Sequence, residues 1–187
     1  HKKMTIILGL RGMTSFLDNP LWASVLAKLG CLFIIEDKPS FLFTHGELNE
    51  TGRKVVTALN ESGLLLLICG LNNQEARALL ENSKKPLVLL QKDLPDPEIL
   101  NLLKNKGSAF GLLLGKEDSL SYFQKLDEAR KAIGSEYLIL VNEESIQGEG
   151  KGQILRLISE ILKANYEWKD IFAIFSETFL KLLDEGR

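Results

Sequence analysis

Side chains able to act as acids, bases, nucleophiles or metal ligands are the natural entry to this sequence, and here they fall at the ends of apolar runs. TIILGL closes on Arg11-Gly12, LLLLIC on Cys69-Gly70, PLVLLQ on Gln91-Lys92, and YLILVN on an asparagine followed by Glu143 and Glu144, while CLFIIED stops before Lys38-Pro39. Cys69, Gly70, Gln91 and Lys92 form no convincing acid, base or metal set. His45, beside Thr44 and Gly46, is the sole imidazole other than His1. A metal site built on it is therefore not expected, and a capping or loop role suits it. Cys31 and Cys69 sit in or beside apolar runs, where buried free thiols are the ordinary outcome. The segment GEGKG at 148–152 has the glycines of a phosphate loop but neither its spacing nor its Lys-Ser/Thr ending, so it reads as a flexible connection.

The elements that must position these residues are legible from periodicity. Residues 63–98 hold two short apolar runs with an amphipathic segment between them, the form of a βαβ unit with buried parallel strands. Asn72 or Asn73 can cap the intervening helix, with Gln74 or Glu75 near the reciprocal position. In parallel α/β proteins the chemistry sits at the carboxyl ends of the strands. Before this unit come the first strand, a helix from about Asn19-Pro20 to Leu29 stopped by Gly30, the strand CLFIIED, a short strand or packed loop at SFLFTH, and a helix over LNETGRKVVTALNESG ending at Gly63. After it come a helix from Asp96-Pro97 through Lys106, the strand AFGLLLG, a helix over EDSLSYFQKLDEARKAIG, the strand YLILVN, the loop SIQGEGKGQ, and helices over Gln153–Ala164 and from about Glu167 to Leu183. Ile171, Ile174, Phe175, Phe179 and Leu182 recur at helical spacing as one apolar face. Packing on the sheet is its ordinary use, and a partner or dimer interface is the alternative.

This alternation specifies an α/β fold with a parallel sheet covered by helices. A closed eight-stranded barrel takes about 250 residues, and 187 are present. The sheet is accordingly an incomplete barrel, a reduced barrel closed by fewer strands, or an open doubly wound sheet. With 45% apolar residues, residues 1–187 suit one domain, residues 1–3 ahead of Met4 reading as a leftover. A net charge of −2 argues against nucleic-acid binding. No apolar run reaches the roughly 18 residues of a membrane span, and the first run is short for a signal peptide, so a cytoplasmic location is expected.

The order and wording of six segments resemble the renal, or membrane, dipeptidase family of metal-dependent, amidohydrolase-like TIM barrels. ILGLRGMTSF looks like the strand ending Glu-Gly-Gly, and LAKLGCLFIIEDK like the segment whose strand ends Thr-His. ETGRKVVTALNESGLLLLICGLNN is similar to the stretch Phe-Gly-x-x-Val-Val, helix, Leu-Gly and a strand ending Asp-Leu-Ser-His. SKKPLVLLQK resembles the Lys-Pro-Val-Ile-x-Ser-His strand, LPDPEILNLLKNKGSAFGLLL the next helix and strand, and ANYEWKDIFAIFSETFLKLLDE the C-terminal helix.

The resemblance implies a zinc peptidase whose two metals are held by a His-x-Asp pair, a bridging Glu and two His, with an activated water between them. In this chain the bridging position holds Arg11, the first His position Gly70 and the second Gln91. The His-x-Asp strand falls ahead of its first residue. A substrate-contacting His falls on Lys38, or on His45 if the loop is shifted. The Arg that grips the substrate carboxylate falls near Lys92, and an acidic residue survives as Glu143. Arginine offers no lone pair to a metal, so zinc is not expected and no catalytic residue is assigned.

The leading expectation is a non-catalytic dipeptidase-like protein that binds a small anion, a carboxylate or a protein partner. A metallodipeptidase and a structural subunit of an active dipeptidase are the alternatives. The resemblance also implies a homodimer or pairing with an active dipeptidase. Arg11, Lys38, Lys92 and His45, opposed by Glu143 and Glu144, could grip an anion. Alternatively Arg11 fills the site by pairing with Glu143 or Glu36.

Overall fold

The computed structural model describes residues 8–12, 22–37, 39–114, 118–142 and 151–186. Strand β1 (Leu8–Arg11) leads to α1 (Trp22–Lys28), β2 (Cys31–Glu36), a 3-10 turn (Pro39–Leu42), the strands β3 (Phe43–Thr44) and β4 (Glu47–Leu48), then α2 (Glu50–Ser62), β5 (Leu65–Cys69), α3 (Asn73–Asn82) and β6 (Leu87–Gln91). The chain continues through α4 (Pro97–Asn105), β7 (Ala109–Leu114), α5 (Ser119–Ile133), β8 (Leu138–Asn142) and α6 (Lys151–Lys163). It closes on α7 (Trp168–Phe172), a π-helical turn (Ala173–Glu177) and α8 (Thr178–Gly186). Six strands form one sheet in the order β1-β2-β5-β6-β7-β8, and β3 and β4 pair separately as an antiparallel hairpin. The pairings of β1 with β2, β2 with β5 and β7 with β8 are all parallel, as the alternation of strands and helices requires.

Two compact units divide the chain, one of His1–Val88 with Leu182–Arg187 and the other of Leu89–Lys181. In the first, β5 is buried along its whole length, and α2 turns Val55, Val56 and Leu59 inward. Asn49 caps α2 by accepting from the Gly52 amide at 2.8 Å, while its own amide donates to the Phe41 carbonyl at 2.9 Å. One side chain thus joins the helix start to the preceding 3-10 turn. The predicted reciprocal cap of α3 forms between Asn72 and Glu75. The SFLFTH segment resolves into the 3-10 turn plus β3. His45 and Gly46, both at positive φ, make the two-residue loop of the hairpin, the arrangement that matches strand twist.

In the second unit β7 is buried throughout and pairs Phe110 with Leu138 and Leu112 with Leu140. Pro97 opens α4 as predicted, although the Asp96 side chain makes no cap bond. Two expectations are corrected here. Lys151 and Gly152 belong to the first turn of α6 rather than to a loop, because a helix needs no internal partner for its first amides and tolerates a glycine there. The last helix is not uniformly α: its π turn inserts into the predicted apolar face, leaving Ile174 and Leu182 buried and Phe175 exposed. The start predicted at Asn19-Pro20, along with Lys38, Glu143 and Glu144, lies outside the described residues.

Candidate functional site

In the first unit the strand register decides which side chains meet. Arg11 lies beside Ile35, Ile35 beside Leu67, and Glu36 beside Ile68, so one further step sets Asp37 beside Cys69. Alternate residues of a strand share a face. Arg11, Asp37 and Cys69 therefore stand on one face and Glu36 on the other. The Arg11 Nε donates to the Asp37 carboxylate, and the Cys69 thiol donates to the other oxygen of the same carboxylate at 3.5 Å. Asp37 is thus a partner of Arg11 that the sequence did not name, while the register puts Glu36 on the opposite face of its strand, buried at 2% exposure. The alternative partner Glu143 lies outside the described residues.

The arginine side chain is 65% exposed and that of Asp37 30%, so the pair is a surface feature rather than a buried bridge. Cys69 is a buried free thiol as expected, whereas Cys31 is only half-buried and bonds the Phe33 carbonyl at 3.2 Å. Gly70 follows β5 at φ +70, with open space where a side chain would stand. A histidine placed there would have room but would sit on left-handed backbone, which costs about 1–3 kcal/mol. His45 is exposed at the hairpin tip, and its carbonyl accepts from Gln74 Nε2 at 3.1 Å. The loop role expected for it holds.

In the second unit Gln91 ends β6 half-buried and Lys92 is exposed. The Lys92 carbonyl accepts from Lys125 Nζ at 3.1 Å, and the same ammonium pairs with Asp93 at 2.8 Å. Lys125, two turns into α5, is thus the cation tied to this strand end. Sequence reasoning missed it because only the fold brings α5 to the end of β6.

A second polar cluster joins α5 to the connection between α6 and α7. Tyr166 donates to Asp127 at 2.9 Å. Lys131 and Arg130 pair with the same carboxylate at 2.6 and 3.2 Å, and Arg130 reaches Asp170 at 3.8 Å. The Arg130 guanidinium lies 4.3 Å from the Tyr166 ring centroid. Its buried Nε has no acceptor, and the ring face takes that place. Burial, reinforced by the bond to Asp127, pushes the Tyr166 hydroxyl up to about 12. Burial also pushes Asp127 up, but the bonds from Lys131, Tyr166 and Arg130 outweigh it and hold the carboxyl below its usual range. These groups satisfy one another, so the cluster is a tie between helices.

The donors at the described strand ends do not suit a pair of zinc ions. A guanidinium cannot ligate, a glycine brings no side-chain donor, and the Asp37 carboxylate is engaged by Arg11 and a thiol. Among the described residues, no group of three or more His, Cys, Asp or Glu is placed to hold a metal.

Known structures share this architecture. The probable dipeptidase PvdM from Pseudomonas aeruginosa superposes on 98% of this chain with a TM-score of 0.80 at 13% identity, the match covering 70% of that protein. The fold is that of the dipeptidases. An amidohydrolase from the same organism matches over 95% of this chain and 71% of its own, with a TM-score of 0.75 and 14% identity. A metallo peptidase from Rhodobacter sphaeroides, liganded with a phosphinate mimic of the dipeptide L-Ala-D-Ala, matches over 97% and 63%, with a TM-score of 0.77 and 15% identity. The chain thus spans roughly two thirds of the length of these dipeptidase-fold proteins. No protein-family profile matches the sequence, and no curated protein matches it significantly in sequence.

Proposed function

We propose that this dipeptidase-fold chain is non-catalytic and binds a small carboxylate-bearing ligand at the end of β1. The observation that carries the reading is the Arg11–Asp37–Cys69 constellation at strand ends where the resembling peptidases need carboxylate and imidazole. Arginine presents five donors in a planar fork suited to carboxylates, and most of this side chain faces solvent. Asp37 orients the guanidinium through Nε, and Cys69 fixes Asp37 from the other side. A ligand carboxylate would then meet a positioned cation without needing a metal charge.

Thermal melts with acetate and with unprotected dipeptides, paired with elemental analysis for zinc and an assay of dipeptide hydrolysis, test this. Ligand-dependent stabilisation in the wild type that disappears in Arg11→Ala is the expected result. Equal shifts in both proteins would leave Arg11 a purely structural role. Two zinc ions per chain together with peptide hydrolysis would overturn the reading in favour of a metallodipeptidase.

A further inference from the structure

Helix α2 ends against its own electrostatics. The carbonyl end of a helix carries partial negative charge and favours a cation in the last turn. Helices α1, α4, α5 and α6 place Lys28, Lys104, Arg130 with Lys131, and Lys163 there. The last turn of α2 has no basic residue and holds Glu61 instead. Glu61 is exposed, and among the described residues it makes no hydrogen bond or ion pair. The last four carbonyls of a helix have no partner within it. Here the Leu59 carbonyl accepts from the Ser62 hydroxyl at 3.1 Å, while those of Asn60, Glu61 and Ser62 accept no bond from the described residues.

A groove of about 440 Å³ opens at this helix end, wholly within the first unit. That volume falls in the ordinary range of small-molecule sites. Its wall runs from Ala27 in the last turn of α1, through Cys31 and Leu32 at the start of β2, to residues 60–63. Lys85 completes the wall and already has a partner of its own. The Asn60 side chain is fixed through its oxygen, which accepts from the Lys84 amide at 3.0 Å, and its NH2 group keeps two donors for a ligand. Cys31 and Asp37 are six residues apart in the chain, about 20 Å in extended backbone. The groove is therefore separate from the Arg11 constellation and lies at the opposite end of the sheet.

We infer that the groove binds a small organic ammonium ion, whose nitrogen takes the place of the missing basic residue beside Glu61. The ammonium meets the Glu61 carboxylate and the open carbonyls of α2, where charge and dipole both favour a cation. A neutral acceptor next to it takes the Asn60 donors, and a short apolar body lies along Ala27 and Leu32. A divalent metal does not suit the place, since among the described residues no group of three His, Cys, Asp or Glu is set to hold one. A carboxylate-bearing ligand would meet Glu61 with like charge, so the two ends of the sheet select opposite ligands.

L-Leucinamide carries all three parts, and N-acetyl-L-leucinamide keeps the body and the acceptor but loses the charge. Each is titrated at neutral pH into the whole isotope-labelled chain and followed by amide NMR shifts. Leucinamide is expected to move the amides of residues 27–32 and 60–63 with saturation in the millimolar range, as suits so small a ligand, and to slow alkylation of Cys31 by iodoacetamide. The acetylated compound does neither at the same concentrations. Glu61→Gln, at an exposed site, weakens leucinamide about 3–10-fold, the worth of an exposed ion pair and a helix end together. Glu61→Lys abolishes binding and raises the melting temperature, because the cation is then supplied from within the chain. Equal shifts from the two compounds, shifts only outside the groove, or unchanged leucinamide affinity in Glu61→Lys overturn the proposal.

Discussion

Replacing Gly52 by alanine sets two effects of known size against each other. Gly52 lies in the first turn of α2 with ordinary helical backbone, and alanine there would gain about 0.8–1 kcal/mol in helix propensity. The added Cβ would stand 2.2 Å from the Leu42 carbonyl oxygen and 2.8 Å from a Leu48 methyl. The first contact is 0.8 Å inside the 3.0 Å that real Cβ atoms respect (3.0 − 2.2), and a backbone atom cannot rotate away. The same Leu42 carbonyl accepts the Asn49 amide at 3.0 Å, and Asn49 caps α2. Separating helix from hairpin therefore strains the cap as well. Overpacking costs about 1–3 kcal/mol, and a weakened hydrogen bond adds about 1. The net expectation is a loss of about 1–3 kcal/mol, read as a lower urea midpoint. Asn49→Ala alone loses about 1 kcal/mol, and the double variant loses less than the sum, because both changes act on one junction. A Gly52→Ala protein as stable as the wild type, or more so, would refute the reasoning.

Other expectations rest on separate features. His45 holds φ +52 without being glycine; His45→Gly relieves about 1–2 kcal/mol of left-handed strain against about 0.5–1 kcal/mol of added unfolded-chain entropy, a net gain of up to about 1 kcal/mol. Gly46→Ala lowers it, since φ +80 and the Gln74 side chain 2.3 Å from the added Cβ both oppose a side chain; the melting temperatures should move in opposite directions. The Tyr166 hydroxyl is raised in the fold to about 12, so above pH 10 the unfolded chain releases this proton first. Stability from this group is full below pH 10 and is lost as pH rises towards 12, a decline that Tyr166→Phe flattens in alkaline denaturation. The lowered Asp127 carboxyl acts at the other end: its contribution is present above its usual value of 3.8 and is lost as pH falls below it, and Asp127→Asn removes that acid-side slope. Phe110, fully buried in β7, loses about 3–5 kcal/mol on truncation to alanine, measured by the same urea titration.

Most of the scaffold can be read from local signals, because apolar runs of strand length, helix-period stripes and caps such as Asn72 and Pro97 act within a few residues of themselves. The expectation at Arg11, Gly70 and Gln91 is read in the same way, since residue type alone decides which side chains can ligate. The partner of Arg11 is not. That depends on the parallel register between β1, β2 and β5 and on the pleat that hides Glu36 and presents Asp37, neither of which a single strand records. Lys125 at the end of β6, the tie among Asp127, Arg130 and Tyr166, and the π turn that carries Phe175 outward likewise exist only once distant helices pack together. Residue chemistry along the chain determined which elements form and which side chains stand at the strand ends. Tertiary structure decided which charges meet, because contacts between elements follow from register and packing rather than from neighbours in sequence.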